Sequence, residues 1–406
     1  MSNISPAILY LLLPAIAALL CGFSIPRVII LAKRKKLYDL PDNLRKIHKE
    51  VVPNIGGVAI FFSYMIVASL FIKHNTFPTW NYIVAASMIL FVIGIKDDII
   101  SLTPTKKFTA QILAAIITVY LADIRLHSLH GILGIHVLPP WLSIGFSIVG
   151  CIFITNAFNL IDGIDGLAGS ISVLCCLMLG TFLGLQGNTG AAFMAFSLMG
   201  AVIGFLKYNL APARIFMGDS GSLFIGFTIS VLCITFINSY DPNSTLAYFI
   251  HSPKSALIVA LSILFVPVFD SFRVFITRIA KGSHPFKADR THLHHFLLDL
   301  GFSHSRTVTT LITVNLLIIS VSLLVQDLNP NIAIAAVILL TFGLFAILYF
   351  MRRNHLAKTE VSSRSKATST IPADQILAGF GNGKEKHKAK NIQMDSALRP
   401  VGTEGS

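Results

Sequence analysis

Amides and carboxylates interrupt an apolar run near the middle of the chain. Residues 156–166 are Asn-Ala-Phe-Asn-Leu-Ile-Asp-Gly-Ile-Asp-Gly, with apolar sequence on both sides. If this segment is helical, Asn156, Asn159 and Asp162 recur every three residues and share one face. Ionisable groups at the edge of a bilayer are costly and usually functional. The segment therefore predicts a polar site that includes Asp162 and Asp165.

A second acidic element is the adjacent pair Asp97 and Asp98, which ends an apolar stretch. Adjacent acids suit metal binding or proton abstraction, because a cation stabilises both charges and one carboxylate remains available as a base. The alternative is a pair of solvated loop carboxylates.

The third element, Met217-Gly-Asp-Ser-Gly221, opens directly into an apolar segment. Asp219 or Ser220 could cap the amino terminus of a helix there, because short polar side chains accept its free backbone N–H groups. However, glycines flank Asp219 as they flank the acids of the first segment. Two such acidic turns favour a metal and phosphate site over a simple cap.

The fourth element, residues 281–295, combines histidines with basic side chains. The histidines are His292, His294 and His295, and the basic residues are Lys281, Lys287 and Arg290. The histidines could form a metal cluster, but no cysteine or other fourth ligand accompanies them. The basic neighbours favour an anion, so we predict a polyphosphate clamp. A basic loop with incidental histidines is the alternative.

An earlier basic loop, residues 33–53, contains Lys46 and His48 and leads into Pro53-Asn-Ile-Gly-Gly57. A basic loop beside an anionic leaflet is ordinary, and the glycines could serve close helix packing alone. The loop by itself does not decide between substrate binding and these structural roles.

The composition indicates an all-α polytopic membrane protein. Of 406 residues, 54% are hydrophobic and 13% charged, and the mean hydropathy is +0.73. Apolar stretches long enough to cross a bilayer recur without strand alternation, which favours helices over a barrel. We predict about eleven transmembrane helices. The predicted spans are 7–32, 55–72, 80–95, 108–124, 141–159, 167–185, 191–206, 222–237, 255–277, 307–325 and 331–351.

Lysines and arginines cluster in alternate connections, which the positive-inside rule assigns to the cytoplasm. This pattern predicts an external amino terminus, a cytoplasmic carboxyl terminus and all the polar elements on the cytoplasmic face. The net charge of +13 is then mostly a topology signal and does not support nucleic-acid binding. The external connection 125–140 has three histidines without a metal-binding spacing, and its residues 131–140 could form a short hairpin.

We predict a transmembrane catalytic domain over residues 1–351 and a cytoplasmic, basic tail over residues 352–406. The tail is poor in aromatic residues and rich in small polar ones, so it is expected to be disordered, with lysines near anionic lipid. The five cysteines all lie within predicted spans and are interpreted as packing residues, because no disulfide or zinc spacing is visible.

Together these elements resemble the four signatures of the polyprenyl-phosphate N-acetylhexosamine-1-phosphate transferases, of the glycosyltransferase family 4 type. The similar segments are Asp97-Asp98 and residues 156–168, 216–222 and 290–295. Several specific motifs carry more weight than any one alone. The His-Leu-His-His form and the Pro53–Gly57 segment look closer to undecaprenyl-phosphate N-acetylglucosamine-1-phosphate transferases, which start O-antigen, common-antigen and teichoic-acid linkage units, than to the muramoyl-pentapeptide translocase.

The resemblance implies transfer of a sugar 1-phosphate, with N-acetylglucosamine 1-phosphate expected, from a UDP-N-acetylhexosamine to undecaprenyl phosphate. UMP would be released and a lipid-linked cell-envelope glycan started. The resemblance also implies Mg²⁺, with Mn²⁺ as a substitute, and a multi-pass protein of the bacterial inner membrane whose active site faces the cytoplasm. A homodimer is the candidate assembly.

By their positions in the motifs, individual residues acquire expected roles. Asp219 and Asn159 look like the metal ligands, and Asp97 and Asp98 look like the catalytic pair that handles the acceptor phosphate. Substrate binding is expected of Asp162 and Asp165, which are also expected to be catalytic, and of Asn156, Arg278, His292, His294, His295, Lys46 and His48.

Two other classes of protein remain as alternatives. An ion- or proton-coupled transporter would also place acids in spans, but near the bilayer midplane in broken helices, whereas these acids cluster at one face. A non-catalytic membrane scaffold would leave the acids and histidines without a purpose. Release of UMP from a UDP-sugar separates all three classes.

Overall fold

The computed structural model describes residues 5–35, 52–282 and 291–369, and most of these residues are helical. Lys46 and His48 lie outside the described residues. The elements are α1 (Pro6–Lys35), α2 (Gly56–Phe71), α3 (Trp80–Ile100), α4 (Pro104–Ile116), a π-helical turn (Ile117–Leu121), β1 (Ser128–Ile132), β2 (Ile135–Val137), α5 (Pro140–Ile161), α6 (Leu167–Leu185), α7 (Thr189–Asn209), α8 (Asp219–Asn238), a 3₁₀ turn (Thr245–Tyr248), α9 (Pro253–Ile263), α10 (Phe265–Ala280), α11 (Leu293–Asp299), α12 (His304–Leu324) and α13 (Pro330–Ser369).

The long apolar helices confirm an all-helical integral membrane protein. Seven helices are long and apolar enough to cross a bilayer, namely α1, α5, α6, α7, α8, α12 and the part of α13 from Pro330 to Thr359. The bent pair of α9 and α10 would make eight. Every predicted span coincides with helical sequence, but eleven crossings are not confirmed by these lengths and compositions.

The central helix of the bundle is α8. Within its most apolar window 94% of the residues are buried, against 11% for α13, which lies at the periphery. Glycines let neighbouring helices approach α8 closely. A Cβ on Gly94 of α3 would lie 2.5 Å from Ser220 Cα, and a Cβ on Gly57 of α2 would lie 2.1 Å from Gly221 N. The amino end of α8 is therefore enclosed by α2 and α3.

The predicted span 255–277 is not one straight helix, and this expectation is corrected. The chain bends by 71° between α9 and α10. Pro267 lies in the first turn of α10 and cannot donate a backbone hydrogen bond. Asn315 of α12 occupies the break, because its Oδ1 accepts Val266 N at 3.0 Å and its Nδ2 donates to Ile263 O at 3.1 Å. The side-chain amide thus satisfies backbone groups that the break leaves open.

A two-stranded antiparallel hairpin connects the π-helical turn to α5; it spans residues 128–137 and so begins three residues before the segment 131–140 expected from sequence. It lies at the end of the bundle opposite to Asp219, because α5 starts beside the hairpin and ends beside the start of α8. Its turn spans residues 131–134, where Gly134 N donates to Gly131 O at 3.1 Å.

The chain divides into two compact units, residues 1–348 and 349–406. In the second unit the described residues, 349–369, form the end of α13. Residues 352–369, expected from composition to be disordered, are thus helical. The rest of the predicted tail lies outside the described residues.

Candidate active site

The amino end of α8 is capped by a carboxylate from another helix. Asp98, in the last turn of α3, accepts Asp219 N at 2.7 Å on Oδ1 and Ser220 N at 3.0 Å on Oδ2. The N-cap residue itself is Gly218, whose φ of 74° is unfavourable for other residues. A Cβ on Gly218 would also lie 2.5 Å from Asn54 O and 2.6 Å from Asp98 Oδ2. This position therefore requires glycine.

The segment Pro53–Gly57 fixes the loop that precedes α8. Phe216 N donates to Pro53 O at 2.8 Å, and Gly56 N donates back to Phe216 O at 2.9 Å. Gly57 N then donates to Met217 O at 2.8 Å. Close packing therefore explains Gly56 and Gly57 without a role in substrate binding, because side chains at these positions would block the backbone contact.

Lys107 joins the acidic pair to the third motif. Its Nζ forms an ion pair with Asp219 and lies 3.0 Å from Asp97 Oδ2. Asp97 Oδ1 accepts Leu102 N at 2.6 Å, so both oxygens of this carboxylate are engaged. Lys107 was not among the residues predicted to form the site. The available signal was that Lys107 lies in the first turn of α4, which begins at Pro104 soon after the acidic pair.

Asn159 and Asp219, which the resemblance implies are metal ligands, contact each other directly. Asn159 Nδ2 lies 2.9 Å from Asp219 Oδ1 and 2.9 Å from Ser222 Oγ. The nitrogen and oxygen of an amide are assigned from such networks rather than observed. The Ser222 hydroxyl can donate or accept, so it permits either orientation of the amide.

The residues present fit a hard divalent cation. In the described part of the chain no three His, Cys, Asp or Glu side chains are arranged to hold a metal, but Mg²⁺ commonly takes only one or two protein oxygens. Asp219 Oδ2 is buried against the Lys107 ammonium, which already places a cation at this carboxylate. Rotation of the Asn159 amide would bring Oδ1 beside Asp219, an arrangement that needs a cation between the two oxygens.

Asp162 lies close to Asp98 and Asp219. It follows the end of α5, where its N–H donates to Asn159 O at 3.3 Å. Burial, together with the charges of Asp219 and Asp98, raises the pKa of the Asp162 carboxyl group to about 7. Three acids from three motifs are therefore close enough to interact electrostatically.

Asp165 holds one loop against another. Its buried carboxylate accepts Ala213 N at 3.0 Å, and its Oδ2 lies 3.4 Å from His304 Nδ1. Asn209 supports the same contact, because its Oδ1 accepts Gly166 N at 3.0 Å. In this structure Asp165 positions the turn after α5 against the loop before α8, a role that the sequence did not suggest.

A buried carboxylate that sequence reasoning missed organises the histidine motif. Asp270 of α10 accepts His292 Nδ1 at 3.0 Å and Leu293 N at 2.9 Å, and it pairs with Arg273 Nη2 at 2.8 Å. The Arg273 guanidinium also donates to Thr291 O. The available signal was a single acid inside the predicted span 255–277. An uncompensated carboxylate there would be costly.

His294 brings the histidine motif to the turn after α5. A Cβ on Gly163 would lie 2.8 Å from His294 Nε2. The His294 and His295 rings are 4.3 Å apart, and the His292 and His294 rings stack at 5.7 Å. Burial, with a further contribution from His295, lowers the pKa of His294 to about 3. His294 is therefore a neutral hydrogen-bonding group at pH 7, and cationic side chains must supply the charge of any phosphate clamp.

Two other predicted residues have different surroundings. Asn156 forms a reciprocal pair with Gln111 of α4, with Nδ2 to Oε1 at 2.6 Å and Nε2 to Oδ1 at 3.2 Å. Its amide is thereby engaged between two helices. Arg278 is buried in the last turn of α10, with 6% of its surface exposed.

The comparisons with known proteins relate this chain to one family of transferases. A family model described as glycosyl transferase family 4 matches residues 80–237. The protein named "Probable undecaprenyl-phosphate N-acetylglucosaminyl 1-phosphate transferase" of Bacillus subtilis is 31% identical over 77% of this chain and 82% of its own length. "Decaprenyl-phosphate N-acetylglucosaminephosphotransferase" of Mycobacterium tuberculosis is 31% identical over 72% and 76%.

A third relative extends the same pattern to another bacterial group. "Undecaprenyl-phosphate alpha-N-acetylglucosaminyl 1-phosphate transferase" of Escherichia coli (strain K12) is 30% identical over 77% of this chain and 84% of its own length. The four sequence motifs, the helical membrane fold and these similarities lead to one assignment. This chain belongs to glycosyl transferase family 4, within the polyprenyl-phosphate N-acetylhexosamine-1-phosphate transferases.

Proposed function

We propose that this protein transfers N-acetylglucosamine 1-phosphate from UDP-N-acetylglucosamine to undecaprenyl phosphate and releases UMP. The observation that carries the proposal is the bridge in which Lys107 joins Asp97 and Asp219 at the start of α8. A cation among several carboxylates suits a site that must hold two anionic substrates and a divalent ion together. The names of the relatives support the same reaction.

The donor diphosphate requires charge compensation from the metal and from this chain. Mg²⁺, or Mn²⁺ in its place, would be held by Asp219 and Asn159 and would offset the negative charge of the diphosphate when bound. Lys107 contacts two carboxylates, so it can turn from Asp219 to a phosphate oxygen while it keeps its contact with Asp97. The amide of Asn159 would rotate beside the Ser222 hydroxyl to present its oxygen to the metal.

We assign the lipid phosphate, the acceptor, to the acidic pair Asp97 and Asp98. An oxygen of the lipid phosphate forms a bond to the donor phosphorus that carries the sugar, and the bond from that phosphorus to the UMP oxygen breaks. Both oxygens of Asp98 accept backbone N–H groups, and both oxygens of Asp97 are engaged by Leu102 N and Lys107. These contacts support direct attack by the lipid phosphate rather than a first attack by an aspartate.

The histidine motif and the turn after α5 would bind the donor nucleotide. Asp270 fixes the orientation of His292, and His294 lies against Gly163. His295 and Arg278 complete the proposed clamp. Within it, neutral His294 donates or accepts a hydrogen bond while the basic residues carry the charge.

We also propose eleven membrane crossings in the bacterial inner membrane, with an external amino terminus and the site at the cytoplasmic face. The distribution of lysine and arginine supports this topology. All five native cysteines are buried, so introduced cysteines can be labelled selectively. Thr245→Cys should react with an impermeant thiol reagent in intact cells, and Pro285→Cys should react only after the cells are opened. Equal labelling from outside would overturn the topology.

The reaction is tested with purified protein, undecaprenyl phosphate and a panel of UDP-sugars. We expect UMP release with UDP-N-acetylglucosamine that depends on both the lipid phosphate and Mg²⁺. Turnover of UDP-MurNAc-pentapeptide alone would reject the donor but keep the reaction class. An absence of UMP with every donor would reject the transferase and reopen the transporter hypothesis, which the comparisons do not support.

A further inference from the structure

An exposed leucine in an unfavourable backbone conformation lies at the tip of the hairpin. Leu133 has a φ of 55°, between Gly131 and Gly134, and 80% of its surface is exposed. Left-handed backbone is costly for a branched apolar residue, and glycine or asparagine would be favoured in this turn. The described residues do not bury the leucine side chain either. Both features suggest that an apolar environment outside the chain stabilises Leu133.

The hairpin tip is tied to the start of a helix at the edge of the bundle. Leu133 N donates to Asn331 Oδ1 at 2.8 Å, and Asn331 is the second residue of α13. Only 11% of the apolar window of α13 is buried, and side chains such as Ile332 and Leu339 are 57% and 71% exposed. In an integral membrane protein such a surface faces lipid. The tip therefore lies where a lipid-facing helix begins.

Two further apolar side chains stand near the same end of the bundle. Val137, the last residue of β2, is 78% exposed, and Trp141, in the first turn of α5, is 74% exposed. Tryptophan is enriched where a helix crosses the boundary between hydrocarbon and water. The hairpin is also fixed inward, because Ile132, next to Leu133, is buried in the core. It can thus present its tip without unfolding.

We infer that the tip of this hairpin inserts into the interfacial layer of the bilayer leaflet opposite to the candidate active site. Leu133 and Val137 contact the upper parts of the acyl chains there, and Trp141 lies at the level of the headgroups. Lipid is the occupant because the patch continues the lipid-facing surface of α13 through the contact between Leu133 and Asn331. The hairpin is then an anchor that holds α5 and α13 at a fixed depth. This inference does not depend on the proposed reaction.

Collision accessibility measures the depth of the tip. A spin label is placed at Leu133→Cys in the full chain in lipid nanodiscs, and the matched control is Asn243→Cys, in the exposed loop after α8 at the same end. The native cysteines are buried and should remain unlabelled. We expect the label at 133 to be accessible to oxygen and protected from a polar nickel complex, and the label at 243 to show the opposite. Equal behaviour at the two positions would overturn the inference.

Leu133→Asn provides an independent test that uses the backbone. Asparagine tolerates left-handed φ, so the substitution relieves backbone strain while it removes the apolar side chain. If lipid buries Leu133, the variant should unfold several degrees lower than wild type in nanodiscs. Relief of strain acts in the opposite direction, so a melting temperature equal to or above that of wild type would show that lipid does not bury the leucine strongly enough to anchor the hairpin, and it would reject the inference. In the spin-label experiment, protection of the label at position 133 in native membranes but not in nanodiscs of pure lipid would indicate a protein partner and would also reject the inference.

Discussion

Asp98 caps α8 from the end of α3, with its carboxylate oxygens 2.7 and 3.0 Å from the backbone nitrogens of Asp219 and Ser220. The hypothesis that Asp219 is itself an N-cap is therefore wrong, because the N-cap is Gly218 and Asp219 is the first helical residue. The Asp219 carboxylate instead meets Lys107 and Asn159. Asp98 thus supplies the cap of α8, which leaves the Asp219 carboxylate available for a ligand.

The capping role predicts that Asp98→Asn reduces stability as well as turnover. An amide offers one acceptor oxygen, so one of the two backbone N–H groups would face an NH₂ group, and loss of a cap costs about 0.5–2 kcal/mol. We expect a lower melting temperature and at least a ~100-fold loss of UMP release, the scale for one electrostatic group. Asp97→Asn is the comparison, since its amide oxygen can still accept Leu102 N and Lys107 keeps Asp219 as a partner, so its melting temperature should fall less. A wild-type melting temperature for Asp98→Asn would contradict the capping role.

Asp219→Asn is expected to have the opposite balance of effects. The side chain caps nothing and Lys107 keeps its ion pair with Asp97, so the variant should insert and fold, with a smaller loss of stability than Asp98→Asn. The rate of UMP release at saturating Mg²⁺ should fall by at least ~100-fold, because the charge proposed to hold the metal is removed. Binding of Mn²⁺, followed by electron paramagnetic resonance, should weaken in parallel. Near-normal turnover would remove Asp219 from the proposed metal site.

Lys107→Gln tests whether the lysine stands in for the metal. Without the ammonium, Asp97 and Asp219 lose a shared cation, and breaking a partly buried ion pair destabilises the fold. We expect a lower melting temperature in EDTA and a larger rise on addition of Mg²⁺ than wild type shows, because the ion can restore the missing charge. Lys107→Arg should give an intermediate response. An equal Mg²⁺ response in wild type and Lys107→Gln would argue against the exchange.

The sequence predicted which motifs would meet, but not all the residues that join them. Asn159 and Asp219 were expected to act together, and their 2.9 Å contact confirms that these motifs adjoin. Periodicity could not identify Lys107 or Asp270, because each side chain depends on a partner that tertiary packing brings to it. Lys107 Nζ contacts Asp219, which lies far along the chain, and Asp270 contacts His292, which lies beyond the end of α10.

The same limit explains the broken span. Pro267 marked a weak point in an apolar stretch, but a proline can also be accommodated within a continuous helix. The break is stable because Asn315, on a helix much later in the sequence, bonds to backbone groups on both sides of it. Hydropathy identifies the apolar stretch but contains no information about a distant partner such as Asn315.

Asp270→Asn should impair donor binding without removing a group that contacts substrate. The carboxylate fixes His292 through Nδ1. An uncharged amide has only one acceptor oxygen, so it cannot accept hydrogen bonds from both the His292 imidazole and the Arg273 guanidinium in this geometry. We expect the KM for UDP-N-acetylglucosamine to rise by about tenfold or more, in the range for loss of an outer hydrogen-bond partner, with a smaller change in kcat. Asp270→Glu should recover part of the loss.

The chain offers a matched control for that experiment. His251 and Asp327 form a histidine–aspartate pair with the same type of contact, Nδ1 2.8 Å from Oδ1, but this pair is exposed and lies at the opposite end of the bundle. Asp327→Asn should leave both kinetic constants unchanged. An equal effect of the two substitutions would mean that Asp270 acts through general stability rather than through His292.

The buried, neutral state of His294 predicts a dependence of stability on pH. The pKa of His294 is lowered to about 3 in the folded protein, chiefly by burial, whereas an unfolded histidine titrates near 6.5. The unfolded chain therefore binds an extra proton as the pH falls below 6.5, and the free energy of unfolding should decrease by about 1.4 kcal/mol per pH unit from this group. Above pH 7 the contribution is constant. His294→Gln should flatten the melting temperature between pH 5 and 7, whereas substitution of the exposed His127 should not. The same pH slope in wild type and His294→Gln would contradict a neutral, buried His294.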